Sequence, residues 1–103
     1  MIERHHYFKL KEAYSNDKGR AALAAAMRET LPGLPGVLAV TVGLPADEAA
    51  EVWDIALCVR FDSIEDLQVY RADPAHRKFA DEVVAHQVEI KKIWNFRVDC
   101  ASR

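Results

Sequence analysis

The run VYRADPAHRKF, residues 69–79, sets Tyr70 six residues before His76 with Asp73-Pro74 between them. A phenol and an imidazole held close together can move a proton without a cofactor. The hydroxyl polarises a carbonyl or relays a proton, and the neutral ring takes one up. Asp73 suits a helix N-cap and Pro74 the first helical position, where its missing donor does no harm. His76 is then the third residue of that helix. There the positive helix end disfavours an imidazolium and leaves a ring able to act as base, while the Asp73 carboxylate pulls the other way. The same residues also describe a plain helix start, with His76 bonded locally and Tyr70 burying its ring under the helix layer. A cavity reaching both rings separates the two readings.

A second group of candidates lies in RHHYFKLKE, residues 4–12. The run is rich in aromatic and extended-type residues, without Gly or Pro, and predicts a strand over about 3–12. Arg4, His6 and Phe8 then share one face and line the space between sheet and helices, the expected ligand-binding set, while His5 looks the opposite way. Adjacent histidines on a strand cannot chelate one ion. His76 and His86, ten residues apart on one helix, are separated by about 15 Å of rise. No close cysteine or carboxylate completes a spacing of metal ligands, so no metal is expected. Arg4 facing inward would need a carboxylate or an anionic ligand, since an unpaired buried guanidinium is very costly. Its place at the start of the strand favours a side chain that reaches solvent.

The elements that must position these groups belong to a single domain, residues 1–103. The chain is 50% hydrophobic and 29% charged, with a formal net charge of -2, which fits one globular unit and no basic stripe for nucleic acid. MIERHHYFKLKEAY is charged throughout, and nowhere do eighteen apolar residues stand together, so no membrane partner and a cytoplasmic location are expected. Cys58 and Cys100 read as free thiols, with Cys58 expected in the core of a strand. No glycine-rich phosphate loop, nucleotide motif or Ser-His-Asp set is present, and no cofactor is expected.

SNDKGRAALAAAMRETL combines cap-type residues with an alanine-rich run and predicts the first helix, its stripe made by Leu23, Met27 and Leu31. PGLPG at 32–36 ends it. VLAVTVGL, about 37–44, predicts a second strand with apolar residues on both faces. VWDIALCVRF predicts a third, with Trp53, Ile55, Leu57, Val59 and Phe61 on one side and Asp54, Ala56, Cys58 and Arg60 on the other. Ser63 with Asp66 forms a capping pattern for a short helix, and Asp73-Pro74 starts another of three to four turns. IKKIWNFRV predicts a last strand over about 90–98, its Trp94 and Phe96 read as core. With right-handed crossovers this order gives an α+β ferredoxin-like sandwich, βαββαβ, with an antiparallel sheet and helices on one face. The two-sided second strand asks for a cover on the open sheet face. A second copy placed sheet to sheet is the least demanding one.

FKLKE at 8–12, LPGV at 34–37, VG at 42–43, WDIALCVRFDSIEDLQVY at 53–70 and DPAH at 73–76 together resemble the stress-responsive dimeric α/β-barrel family, Dabb. The resemblance runs from about residue 2 to residue 98. It implies a homodimer in which two ferredoxin-like sheets close into one barrel. The family includes stress-induced plant proteins, stable oligomers, bacterial members without assigned role and a plant polyketide cyclase that closes an aromatic ring by aldol condensation. The cyclase's catalytic tyrosine and histidine fall on Tyr70 and His76. A histidine usual near the family's start falls on Arg4, and an acidic residue common in its last strand falls on Asn95. Related dimeric barrels include cofactor-independent monooxygenases and lactone isomerases, which lack the DPAH neighbourhood.

Two functional expectations result. One is a homodimer binding a small acidic or carbonyl-bearing molecule between sheet and helices, with Tyr70 and His76 as donor and base for enolisation, isomerisation or cyclisation. The other is a non-catalytic, stress-related oligomeric module without a ligand-sized cavity.

Overall fold

The computed structural model describes residues 1–50 and 52–99; Cys100 lies outside the described residues. Strand β1 (Ile2–Leu10) leads to helix α1 (Asp17–Thr30), a 3-10 turn (Leu31–Gly33) and strand β2 (Ala39–Gly43). Strand β3 (Ile55–Phe61) follows, then helices α2 (Ile64–Ala72) and α3 (Pro74–Phe79). The second of these runs through a π-helical segment (Ala80–Val84) into a final turn, α4 (Ala85–Gln87), and strand β4 (Val88–Arg97) closes the fold. The sheet order is β2-β3-β1-β4 with every neighbouring pair antiparallel. This is the ferredoxin-like α+β sandwich. No helix among the described residues is long and apolar enough to cross a membrane.

Local chemistry explains the boundaries. Asn16 caps α1 by accepting from the Gly19 amide at 2.8 Å, and Leu23, Ala24 and Met27 form its buried stripe. Pro32 and Pro35 end the helix, and Gly36 turns the chain at φ 80°, a geometry that disfavours any side chain there. The core fills the gap between sheet and helices with Phe8, Leu10, Leu23, Met27, Ile55, Val59, Phe61 and Leu67 among its members.

The third strand departs from expectation. It begins at Ile55, so Trp53 is not on its buried side; it lies on the open side of the sheet beside Tyr7, ring centroids 6.2 Å apart. Asp54, expected opposite the core, is buried. Its amide donates to the Phe8 carbonyl at 2.8 Å, and its carboxylate accepts from the Leu10 amide at 2.7 Å, Ser15 Oγ at 2.9 Å and Arg20 Nε at 2.9 Å. These bonds turn the residue inward before ladder pairing begins. Burial pushes the Asp54 carboxyl up, but the bonds from Leu10, Ser15 and Arg20 outweigh it and hold the group below the usual carboxylate range.

The open face also differs in composition from the expectation. Strand pairing puts Ala39, Thr41 and Gly43 of β2 there, all small, whereas Val40 and Val42 turn toward the helices. The large apolar groups come from elsewhere: Tyr7, Trp53, Ile90, Trp94 and Phe96. Trp94 and Phe96, expected in the core, are 49% and 50% exposed, because β4 pairs Trp94 with His5 and Phe96 with Glu3 on that face. Cys58 sits half-buried on the same face opposite His5, not in the helix-side core.

Removing the Asp54 carboxylate leaves the Leu10 amide without its acceptor and takes from Arg20 one of two carboxylate partners, Asp17 remaining at 3.2 Å. Asp54→Ala is expected to lower unfolding free energy by about 2–3 kcal/mol, chiefly through the unsatisfied amide. Urea denaturation at fixed protomer concentration checks this, and a loss below about 1 kcal/mol would show the cluster behaving as a surface ion pair.

Candidate functional site

Strand alternation on β1 delivers Ile2, Arg4, His6, Phe8 and Leu10 to the helix side, and all five are buried. Above them, α2 is capped by Ser63, whose Oγ accepts from the Asp66 amide at 3.1 Å, and ends at Ala72. Asp73 then caps α3, its Oδ2 accepting from the Ala75 and His76 amides at 2.9 and 3.1 Å. With one residue between the helices, the chain turns sharply and folds His76 back over Tyr70. The two rings lie 4.2 Å apart, centroid to centroid, at 40°. Tyr70 is 1% exposed and packs its other side on Phe61 at 4.9 Å.

A cavity of about 270 Å³ reaches both rings. Arg4, His6 and Phe8 form part of its floor with Leu57 and Ile93, and Ala80 and Val84 belong to its roof. These belong to the π-helical segment, a wider turn frequent at functional sites. All five residues singled out in the sequence therefore line one space.

Burial sets the electrostatics. It pushes the Tyr70 phenol up to about 12, against the opposing pull of Arg4, so the hydroxyl stays protonated and can donate. His76 is lowered by burial first and by Arg4 and Arg77, although the Arg71 backbone and Asp73 act in the other sense. Its ring is neutral at pH 7 and its Nδ1 is buried without a hydrogen-bond partner. His6 is driven down to about 3 by burial and Arg4, despite backbone carbonyls at Leu57 and Arg4, and its Nδ1 also lacks a partner. So weak a base leaves His76 as the better proton acceptor.

Arg4 corrects the reading of a solvent-reaching side chain. It is 9% exposed and donates from Nη1 to Asn95 Oδ1 at 2.9 Å, while its Nε is buried and unpaired. Its partner lies opposite on β4, where the register pairs residue 4 with residue 95. Among the cavity residues that sequence reasoning did not single out are the basic Arg71, Arg77 and Lys91. Arg71 and Arg77 directly follow Tyr70 and His76, so the chain positions were in view; the signal for Lys91 needed the facing of β4.

His5 lies on the open face as expected, 2.9 Å from Glu3, and His86 is remote, against Tyr14. The structure does bring a carboxylate and a cysteine near a histidine: Glu3, His5 and Cys58 have candidate ligand atoms within 4.8 Å of one another. Cross-strand pairing makes this cluster, which linear spacing could not show. Both Glu3 oxygens are engaged, by His5 and by Arg60 at 2.8 Å, and burial together with Glu3 pushes the Cys58 thiol up. A cation would have to displace these bonds.

The sequence matches the stress responsive A/B barrel domain over residues 2–97. The chain belongs to this family, Dabb. It has no significant match among curated proteins. Among solved structures, the fold is similar to At3g17210 from Arabidopsis thaliana, at 14% identity over all of both chains and a TM-score of 0.82. A dimeric protein of unknown function and ferredoxin-like fold from Bacteroides fragilis is 23% identical over 94% of this chain and 95% of its own, TM-score 0.74. Hydroxynitrile lyase from Passiflora edulis is 18% identical over 99% and 97%, TM-score 0.75. At these identities the likenesses concern the Dabb fold, and the chemistry must be argued from this chain's own cavity.

The His6 shift has a pH signature. Above pH 6.5 neither folded nor unfolded chain protonates it; below that the unfolded chain gains a proton that the folded chain refuses until about pH 3. Stability should therefore fall with pH by about 1.4 kcal/mol per unit from this group alone. Glu3 and Asp54, also lowered, add losses below their ordinary values of 4.5 and 3.8. Urea titrations between pH 6.5 and 4.5 should show a shallower slope in His6→Gln by about that amount. An unchanged slope would mean that the ring is hydrated.

Proposed function

We propose that this Dabb domain is a homodimer that binds a small acidic or carbonyl-bearing molecule in the cavity between sheet and helices and moves protons on it without a cofactor. The observation that carries the reading is the Tyr70–His76 ring contact, centroids 4.2 Å apart and planes tilted by 40°, opening onto a cavity of about 270 Å³. In such a reaction neutral His76 removes a proton next to the substrate carbonyl, and the Tyr70 hydroxyl donates a hydrogen bond to the oxygen on which the negative charge collects. Returning the proton to another carbon is isomerisation; attack of the enolate carbon on a second carbonyl is cyclisation, with the proton passing to the new alkoxide.

The open face supports the homodimer. Tyr7, Trp53, Ile90, Trp94 and Phe96 make an apolar surface on one side of a small domain, and a second copy would cover it through a two-fold axis. The dimeric relative from Bacteroides fragilis has the same fold. The non-catalytic module called for no ligand-sized cavity, so the cavity weighs against it. The free thiol of Cys58 fits the reducing cytoplasm. A stress-related role rests on the family description alone.

Once a converted carbonyl compound is found by screening, His76→Ala should lower kcat by about 100- to 10,000-fold and Tyr70→Phe should cost less, with circular dichroism unchanged. Full activity in His76→Ala would defeat the acid–base reading. For the assembly, sedimentation at micromolar protomer should give two chains for the wild type and one for Trp94→Glu. A monomeric wild type would remove the homodimer.

A further inference from the structure

We propose that the ligand of this cavity is a carboxylic acid with an apolar body, its carboxylate bridging Nε and Nη2 of Arg4 while its reacting end lies at His76. The proposal deepens the cavity reading above and rests on it. Arg4 is nine-tenths buried, and among the described residues no carboxylate lies within ion-pair distance of it. Among the described residues its one side-chain hydrogen bond is to Asn95, which can accept from Nη1 but cannot neutralise the charge. Nε, buried and unpaired, lies on the guanidinium edge that a carboxylate fits in bidentate fashion.

The surroundings favour an anion. Arg71, Arg77 and Lys91 line the same cavity; among the described residues Asp81 is its sole carboxylate, and Asp81 is 3.8 Å from Arg77. A buried guanidinium without a counter-charge is costly, so an arriving anion relieves a standing penalty. The floor is apolar at Phe8, Leu57 and Ile93, which suits a hydrocarbon or aryl body. One free edge of one buried guanidinium matches a planar monoanion better than a phosphate. The volume is below the ~300–1,000 Å³ of drug-sized sites, so the acid is small.

The test titrates the dimer with levulinate, benzoate and benzoylformate, their methyl esters and inorganic phosphate, following the Arg4 Nε–H signal and the His76 amide by NMR. The acids should shift both signals saturably, with the esters and phosphate much weaker. Arg4→Met should weaken acid binding by about 10- to 100-fold. Asn95→Asp, which places a carboxylate opposite Arg4, should also abolish acid binding while raising Tm, and it keeps the test decisive if Arg4→Met fails to fold. Esters that bind as tightly as acids and shift His76 would leave the cavity reading standing and overturn the carboxylate. Preferred phosphate binding, or undiminished acid binding in Asn95→Asp, would overturn it equally. Silence from every compound would overturn both readings.

Discussion

Strand alternation on β1 is the constraint from which the site follows. Side chains two apart must share a face, and the pattern Ile2, Arg4, His6, Phe8, Leu10 is buried without exception. Phe8 and Leu10 are anchored by the core, so the register cannot slip by one without exposing both. That anchoring carries a guanidinium and an imidazole into the layer between sheet and helices. A polar pair in that position prevents close packing by apolar groups alone and needs partners or space around it. The cavity supplies the space.

The helix layer meets this floor with matching irregularity. A continuous helix from Ile64 to Gln87 would carry Tyr70 and His76 along one axis. The single break at Asp73-Pro74 folds the second ring onto the first, and the π-helical segment widens the roof above Arg4 and His6. Burial then acts in the same direction on every titratable group, favouring a protonated phenol and neutral imidazoles. A donor and an acceptor of protons therefore coexist at neutral pH within ring-stacking distance. Arg4 strengthens the arrangement by disfavouring charge on both histidines.

The legible parts of the fold were those written in local chemistry. Ser63 and Asp73 are caps in the structure as in the sequence, Leu23, Met27 and Leu31 are buried at their four-residue spacing, and the element order is as expected. Illegible parts depended on pairing between distant residues. Ile93 and Trp94 are both apolar, so composition cannot say which faces the helices; the register with β1 decides, and sends Trp94 outward. Asp54 looked like a surface residue because its acceptor role needs the Leu10 amide, Ser15 and Arg20, all more than 30 positions away. Arg4 looked solvent-bound for the same reason: Asn95, its partner, is 91 residues on. The Glu3–His5–Cys58 cluster likewise exists only across two strands.

The two faces of the sheet answer each other energetically. Burying Arg4 and His6, and leaving a cavity above them, weakens the core of a domain too small to have stability in excess. A domain of this size holds a single core. It can still present Tyr7, Trp53, Trp94 and Phe96 on the opposite face, where a copy of itself would remove them from water at about 25 cal/mol per Å² of apolar surface buried. Association of this kind stabilises the folded chain by mass action and needs no residue on the helix side. The polar cavity and the greasy face are then two results of one alternation: β1 sends Arg4 and His6 to the helix side and Tyr7 to the open side, and neither set can change sides without moving the other.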